Sequence, residues 1–299
     1  MKKLVTREQS TYEMDKLTQP ALTVKDGSVV KLKIKDHFNS QIHEERLHYG
    51  EIDWKQFSPT SGPIFVDQAV PGDLLAVTIE KIKLTSNDTV LLNGPNIGIL
   101  DDLLPNNSIR RYKIQNNKII YSEQININVK KTIGLLKTES RNESKPFHLP
   151  TNYGGTLDSS HLTEGATVFL PVEKNGGLLH VGDVHATTGL GEITSSYAEI
   201  PAEVTLRLQI LKNKKAPTPV IIQDNYLICI ASKPTIESAA KTALQNMVNL
   251  LTDNNQMTIE DAVFLLSLDG DFQICQLFQP SQTASIKLAL EYFPEMPFL

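Results

Sequence analysis

A chain of 299 residues is long enough to bury a substantial core in two or three subdomains. With 34 acidic against 29 basic residues the formal net charge is -5, which argues against a nucleic-acid partner, because that partner needs a basic face. No stretch reaches the apolar length that spans a bilayer, and Lys2-Lys3 run into Thr6-Arg7-Glu8-Gln9 without an apolar signal region. The 2 cysteines, Cys229 and Cys275, sit in apolar runs as reduced core thiols do, so the expectation is a cytoplasmic globular protein.

Along the chain, His43, His48, Glu51 and Asp53 cluster before Trp54, as either a site-edge loop or a solvated polar one. Strands are expected at Leu74–Glu80, Lys118–Tyr121, Thr167–Val172 and Val204–Ile210. In the last of these Val204, Leu206, Leu208 and Ile210 alternate with polar residues, the mark of a half-buried strand. Between the first two, Gly94-Pro-Asn-Ile-Gly98 leads into Asp101 and Asp102, a turn-rich approach able to present one acid to a pocket. Lys137–Lys145 contains no apolar residue and is the best candidate boundary; Lys212–Pro219 is a second polar connection. A shift of 93 residues lays Gly62 on Gly155, Gly72 on Gly165 and Leu75 on Val168, a faint internal duplication.

Helical spacing then takes over. Ile236, Ala239, Ala240, Ala243, Leu244, Met247, Val248 and Leu251 mark one helix capped by Thr235, and Thr258 with Asp261 opens a second that breaks at Asp269-Gly270. A strand from Phe272 to Phe278 follows. The fold class is mainly β, in sandwich- or barrel-like units, with a C-terminal α/β segment carrying two helices, α+β overall. Three segments are expected: 1–136, 146–230 with the site, and 231–299 packed on the β core.

The chemistry concentrates in Gly182-Asp183-Val184-His185-Ala186 and Gly189-Leu190-Gly191-Glu192. Asp183 and His185 leave one face of a strand while Val184 points into the core, and the glycines let Glu192 fold back toward them. A carboxylate, an imidazole and a second carboxylate can hold a divalent metal that activates water, or His185 and Asp183 can act as base and orienting acid without one. The alternative is a solvated strand end with a satisfied Asp–His pair. The cysteines lack the polar setting of a catalytic thiolate, and Ser195 and Ser196 lack a Gly-x-Ser-x-Gly elbow.

Ser58–Leu75, with its Gly62-Pro63 strand and Pro71-Gly72-Asp73 turn, resembles the acetamidase/formamidase family. So do Gly154-Gly155 and Asp158 through Gly182–Ala186 to Gly191-Glu192, and Thr258–Ala262 through Ser267–Phe272. The resemblance implies hydrolysis of a small formamide- or acetamide-like amide to carboxylate and ammonia by a metal-bound water. Asp183, His185 and Glu192 would be both catalytic residues and metal ligands, with Asp158 and Gly155 binding substrate; Asp101, from the turn-rich approach, is a further substrate-binding candidate. The implied cofactor is a divalent metal, zinc, with calcium as an additional ion. The partners expected are a small-molecule amide, no nucleic acid and no membrane, in a homodimer or higher even homo-oligomer.

The chain departs from the family pattern where Tyr153-Gly154-Gly155-Thr156-Leu157-Asp158 stands for His-Gly-Gly-Asn-x-Asp and Leu190 for an acid. His148 and His161 flank that turn as substitutes for the missing imidazole, and His180 reads as a strand residue. The rival functions are a catalytically altered member that binds a small metabolite, and a hydrolase of a related carbon–nitrogen substrate.

Overall fold

The computed structural model describes residues 3–12, 19–44, 49–141, 149–194, 196–253, 257–277, 280–293 and 298. The expectations at His48, His148, Ser195 and Phe278 lie outside the described residues.

Ala202–Leu211 shows how the sequence pattern becomes architecture. Ala202, Val204, Leu206 and Leu208 are buried while Glu203, Thr205, Arg207 and Gln209 face outward. This strand lies inside a nine-stranded sheet, antiparallel to Val29–Ile34 through Val204↔Leu32 and to Leu74–Leu84 through Leu208↔Val77. A six-stranded sheet faces it, with Leu179–His185 paired antiparallel to Thr132–Lys137 on one side and Thr60–Val66 on the other. Both Thr132–Lys137 and Leu179–His185 are buried along their whole length, so neither shows the alternation of a half-exposed strand. Their inward residues Ile133, Leu136, Val181 and Val184 meet Leu75, Val77, Val204 and Leu206 of the larger sheet in one apolar core.

The C-terminal helices are α1 (Ile236–Thr252) and α2 (Ile259–Asp269). Thr235 accepts from Ser238 N–H and Thr258 from Asp261 N–H, satisfying donors that open each helix. Helix α1 buries Ala243, Met247 and Leu251 over the strands Tyr226–Lys233 and Gln282–Ala289, in a second core with Leu227, Ile286 and Leu288. The strand after α2, Asp271–Gln276, forms the edge of the larger sheet.

Two segmental expectations need correction. Lys137, Thr138, Glu139 and Ser140 are buried, not a solvated boundary. A polar run can be buried when every group finds a partner: Thr138 Oγ1 donates to Pro171 O, and Glu139 receives Lys174 Nζ at 2.8 Å. The three sequence segments also interleave, since the nine-stranded sheet takes strands from all of them. The strands matched by the 93-residue shift, Leu74–Leu84 and Thr167–Pro171, are antiparallel neighbours, with Val77 opposite Val168.

Candidate active site

Leu179–His185 ends at the floor of a cavity of about 250 Å³. Val184 is fully buried in the core, and Asp183 and His185 face the cavity, His185 Nε2 lying 3.2 Å from Asp183 Oδ1. Asp183 adopts φ +60° within the strand, and Asp158 has φ +47°. Such left-handed states in non-glycine residues persist when the surrounding fold over-determines them.

Three further segments shape the site. His37 follows Val29–Ile34, where Asp36 Oδ1 accepts the N–H groups of Phe38 and Ser40 and fixes the turn. Its Nδ1 lies 2.8 Å from Asp183 Oδ1. Glu199 is clamped by reciprocal backbone bonds to Val90 and places Oε1 3.5 Å from His185 Nε2. Gly134, on the neighbouring strand, leaves the space at the centre: a Cβ there would come within 2.7 Å of His185 Cε1 and 2.8 Å of both Asp158 Oδ1 and Asp183 Oδ2.

Asp158, Asp183, Glu192 and Glu199 are all buried, with His37 and His185 beside them. Burial and the carboxylates of Glu192 and Asp183 push Asp158 well above the ordinary carboxylate range. Burial and Asp183 push Glu199 well up and Glu192 to about 8. Burial acts in the same direction on Asp183, but His37 and His185 outweigh it and hold that carboxyl well below its usual range. Among the described residues, Asp158 Oδ2, Glu199 Oε2 and Thr156 Oγ1 are buried without a hydrogen-bond partner. Orphaned buried oxygens are costly and ask for a ligand.

Two donor groups share Asp183. The ligand atoms of Asp158, Asp183 and His185 lie within 4.8 Å of one another, as do those of His37, Asp183 and Glu199. Surplus buried carboxylate, partnerless oxygens, the opening at Gly134 and mixed imidazole–carboxylate donors fit a divalent cation. The upper cavity wall is of another kind, formed by Tyr49, Trp54, Phe57, Ile97, Leu149, Pro150 and Pro280.

The model of the acetamidase/formamidase family matches residues 14–143 and 146–277. The chain belongs to the acetamidase/formamidase family. A solved acetamidase structure from Bacillus halodurans is 33% identical, covers 98% of this chain and 99% of that one, and superposes with a TM-score of 0.94. A predicted acetamidase/formamidase from Thermoanaerobacter tengcongensis is 30% identical over 98% of this chain and 97% of that one, also with a TM-score of 0.94. A curated formamidase from Methylophilus methylotrophus is 35% identical over 65 residues, 21% of this chain. That stretch spans 16% of the formamidase, and the segment matched in a second curated relative spans 15% of it.

On this acetamidase/formamidase fold the ligand atoms of Asp158, Asp183 and His185 come together, whereas the motif reading expects Asp183, His185 and Glu192 as the donors with Asp158 nearby. Glu192 lines the cavity and bonds Asp158 through its side chain, but it stands outside both donor groups. Its backbone is tied to the edge strand Asp271–Gln276 and the residue after it, N–H to Cys275 O and O to Leu277 N–H, which sets it to one side of Asp183. Gly155 packs against the Leu149–Pro150 backbone and is absent from the cavity wall, where its neighbour Thr156 takes part. Asp101 is also outside that wall, in the short turn of helix Asp101–Leu103.

The family departures fall unevenly. Leu190 is 69% exposed. His161 is engaged by Gln223 and Gln273, so the second imidazole comes from His37 instead. In the Tyr49–Phe57 loop the aromatics line the cavity, while Asp53 caps the turn Trp54–Gln56 and His43 is exposed. Burial pushes the thiols of Cys229 and Cys275 up, the latter to about 11, which removes them as nucleophiles. Sequence reading missed His37 and Glu199. The available signal for His37 was its place just beyond an alternating strand, Val29–Ile34.

Proposed function

We propose that the protein hydrolyses the C–N bond of a small linear amide to a carboxylate and ammonia at the floor of this cavity. The observation that carries this reading is the cluster of buried carboxylates and imidazoles around Gly134, in which Asp158 Oδ2 and Glu199 Oε2 have no partner. Asp158, Asp183 and His185, with His37 and Glu199, would hold a divalent ion, and zinc suits such mixed donors. When bound, that ion supplies Lewis acidity and lowers the pKa of water.

An amide is a poor electrophile, so one proton must leave the attacking water and one must reach the departing nitrogen. Glu192, which lines the cavity, bonds Asp158 through its side chain and stands outside both donor groups, is the carboxyl free to carry that proton. In this mechanism Glu192 takes the proton from water and returns it to the leaving amine, and Asp158 orients it. Asp183, kept as a carboxylate between His37 and His185, orients both imidazoles. The partnerless hydroxyl of Thr156 lines the cavity and is placed to hydrogen-bond the substrate amide.

Ammonia release from formamide and acetamide, before and after chelation, tests the reading. Release that chelation abolishes and a divalent metal restores is expected. Metal-loaded protein that releases no ammonia from a small-amide panel would overturn it in favour of a metabolite-binding role.

A further inference from the structure

Hydrolysis of a one- or two-carbon amide makes no use of the upper half of the cavity. There the rings of Tyr49 and Trp54 stand 4.5 Å apart and those of Trp54 and Phe57 5.3 Å apart. Tyr49 and Phe57 pack on a satellite core containing Phe38, Ile42, Ile52 and Ile97, so the wall is preformed. Every acidic and imidazole side chain that lines the cavity sits on the floor, and no cation faces this wall among the described residues.

The two halves meet at His37. Its Nδ1 is 2.8 Å from Asp183, and its ring lies 4.1 Å from that of Phe57 in an edge-on contact. A carbonyl carbon at the floor therefore has the aromatic wall one ring-width away. A cavity of about 250 Å³ holds roughly eight water-sized groups, and acetamide has about half that many heavy atoms. The remainder is apolar space, with Trp54 still 39% exposed at the mouth. Filling it removes apolar surface from water on both ligand and protein.

We propose that this wall is a subsite for a neutral, apolar, ring-sized substituent. The favoured substrate is then a primary amide whose acyl group ends in an aromatic or branched apolar unit, not formamide or acetamide. This inference rests on the amidase reading above. Anionic acyl groups are disfavoured on this wall, because none of its residues offers a compensating cation.

The experiment measures kcat/KM for phenylacetamide and for acetamide, by ammonia release from the metal-loaded full chain. A phenylacetamide value at least about 10-fold higher is expected, since one added apolar contact region is worth factors of this size. In Trp54→Ala the phenylacetamide-to-acetamide ratio should fall at least about 10-fold, while Trp54→Phe should restore most of it. Circular dichroism of both variants confirms folding. Acetamide turned over as well as phenylacetamide, or a ratio unmoved in Trp54→Ala, overturns the subsite and leaves the amidase reading intact. Ammonia from neither amide, nor from formamide, overturns both.

Discussion

His37 and Asp183 are 146 residues apart in the chain and meet with Nδ1 2.8 Å from Oδ1 in a buried contact. With His185 on the same carboxylate oxygen at 3.2 Å, Asp183 is the one acid of the cluster held firmly ionised. Removing His37 takes away the first of the two imidazoles that offset the burial of Asp183. His37→Ala is expected to lose at least about 10- to 100-fold in metal affinity and amidase kcat/KM, the usual range when a ligand or its orienting partner is lost. Metal analysis beside ammonia kinetics checks this. Full metal content with undiminished turnover would remove His37 from the site.

Gly134 makes a sharper test, because it has no side chain to contribute. A methyl group there would crowd His185 Cε1, Asp158 Oδ1 and Asp183 Oδ2 at 2.7–2.8 Å. Its φ is not in the left-handed region, so alanine fits the strand itself. Gly134→Ala should stay folded, with an overpacking cost of about 1–3 kcal/mol. Metal stoichiometry and turnover should collapse, turnover by more than about 100-fold as donors leave their productive geometry. Thermal melts paired with metal content separate that outcome from simple unfolding.

The sequence made Ala202–Leu211 and both helices legible because their burial is one-sided, so apolar spacing reports it directly. Thr132–Lys137 carries no such record: it is covered on both faces, and its Lys137 is fully buried. The site divides the same way. Asp183 and His185 are two residues apart on one strand, a local relation that spacing can reveal. Glu199 joins them through an isolated bridge to His185 and another to Val90, and His37 through the packing of Val29–Ile34 against Leu179–His185 across the two sheets. Neither relation leaves a local trace. Glu192 was legible as a site residue but not in its placement, since its backbone pairing with the Cys275–Leu277 stretch is a tertiary choice.

Leu190 tests the weight of a motif departure. The residue replaces a family acid inside the Gly189–Glu192 turn, yet its side chain is 69% exposed and absent from the cavity wall. Leu190→Ala should change kcat/KM by no more than about twofold and stability by less than ~0.5 kcal/mol, as surface substitutions do. Loss of turnover beyond tenfold would mean that this turn acts on Glu192 in a way its exposure does not suggest.

Asp73 closes the Pro-Gly-Asp turn of the family resemblance, and its geometry assigns it to stability. Its Oδ2 accepts from Val70 N–H and Lys212 Nζ, both at 2.9 Å, and Oδ1 from Asn213 N–H at 3.1 Å. Burial pushes this carboxyl up, but the bonds from Val70, Lys212 and Asn213 outweigh it and leave its pKa below the ordinary value. A folded-state pKa below the unfolded one stabilises above the unfolded value and loses that contribution as pH falls through the folded value. Asp73→Asn should therefore cost about 1–3 kcal/mol at pH 7, the scale of hydrogen bonds to a charged group. The gap between variant and native protein should narrow below about pH 4, as the native carboxyl protonates. Urea unfolding at pH 7, 5 and 3 measures it. A gap that stays constant across that series would show that the charge of Asp73 contributes nothing to holding the turn.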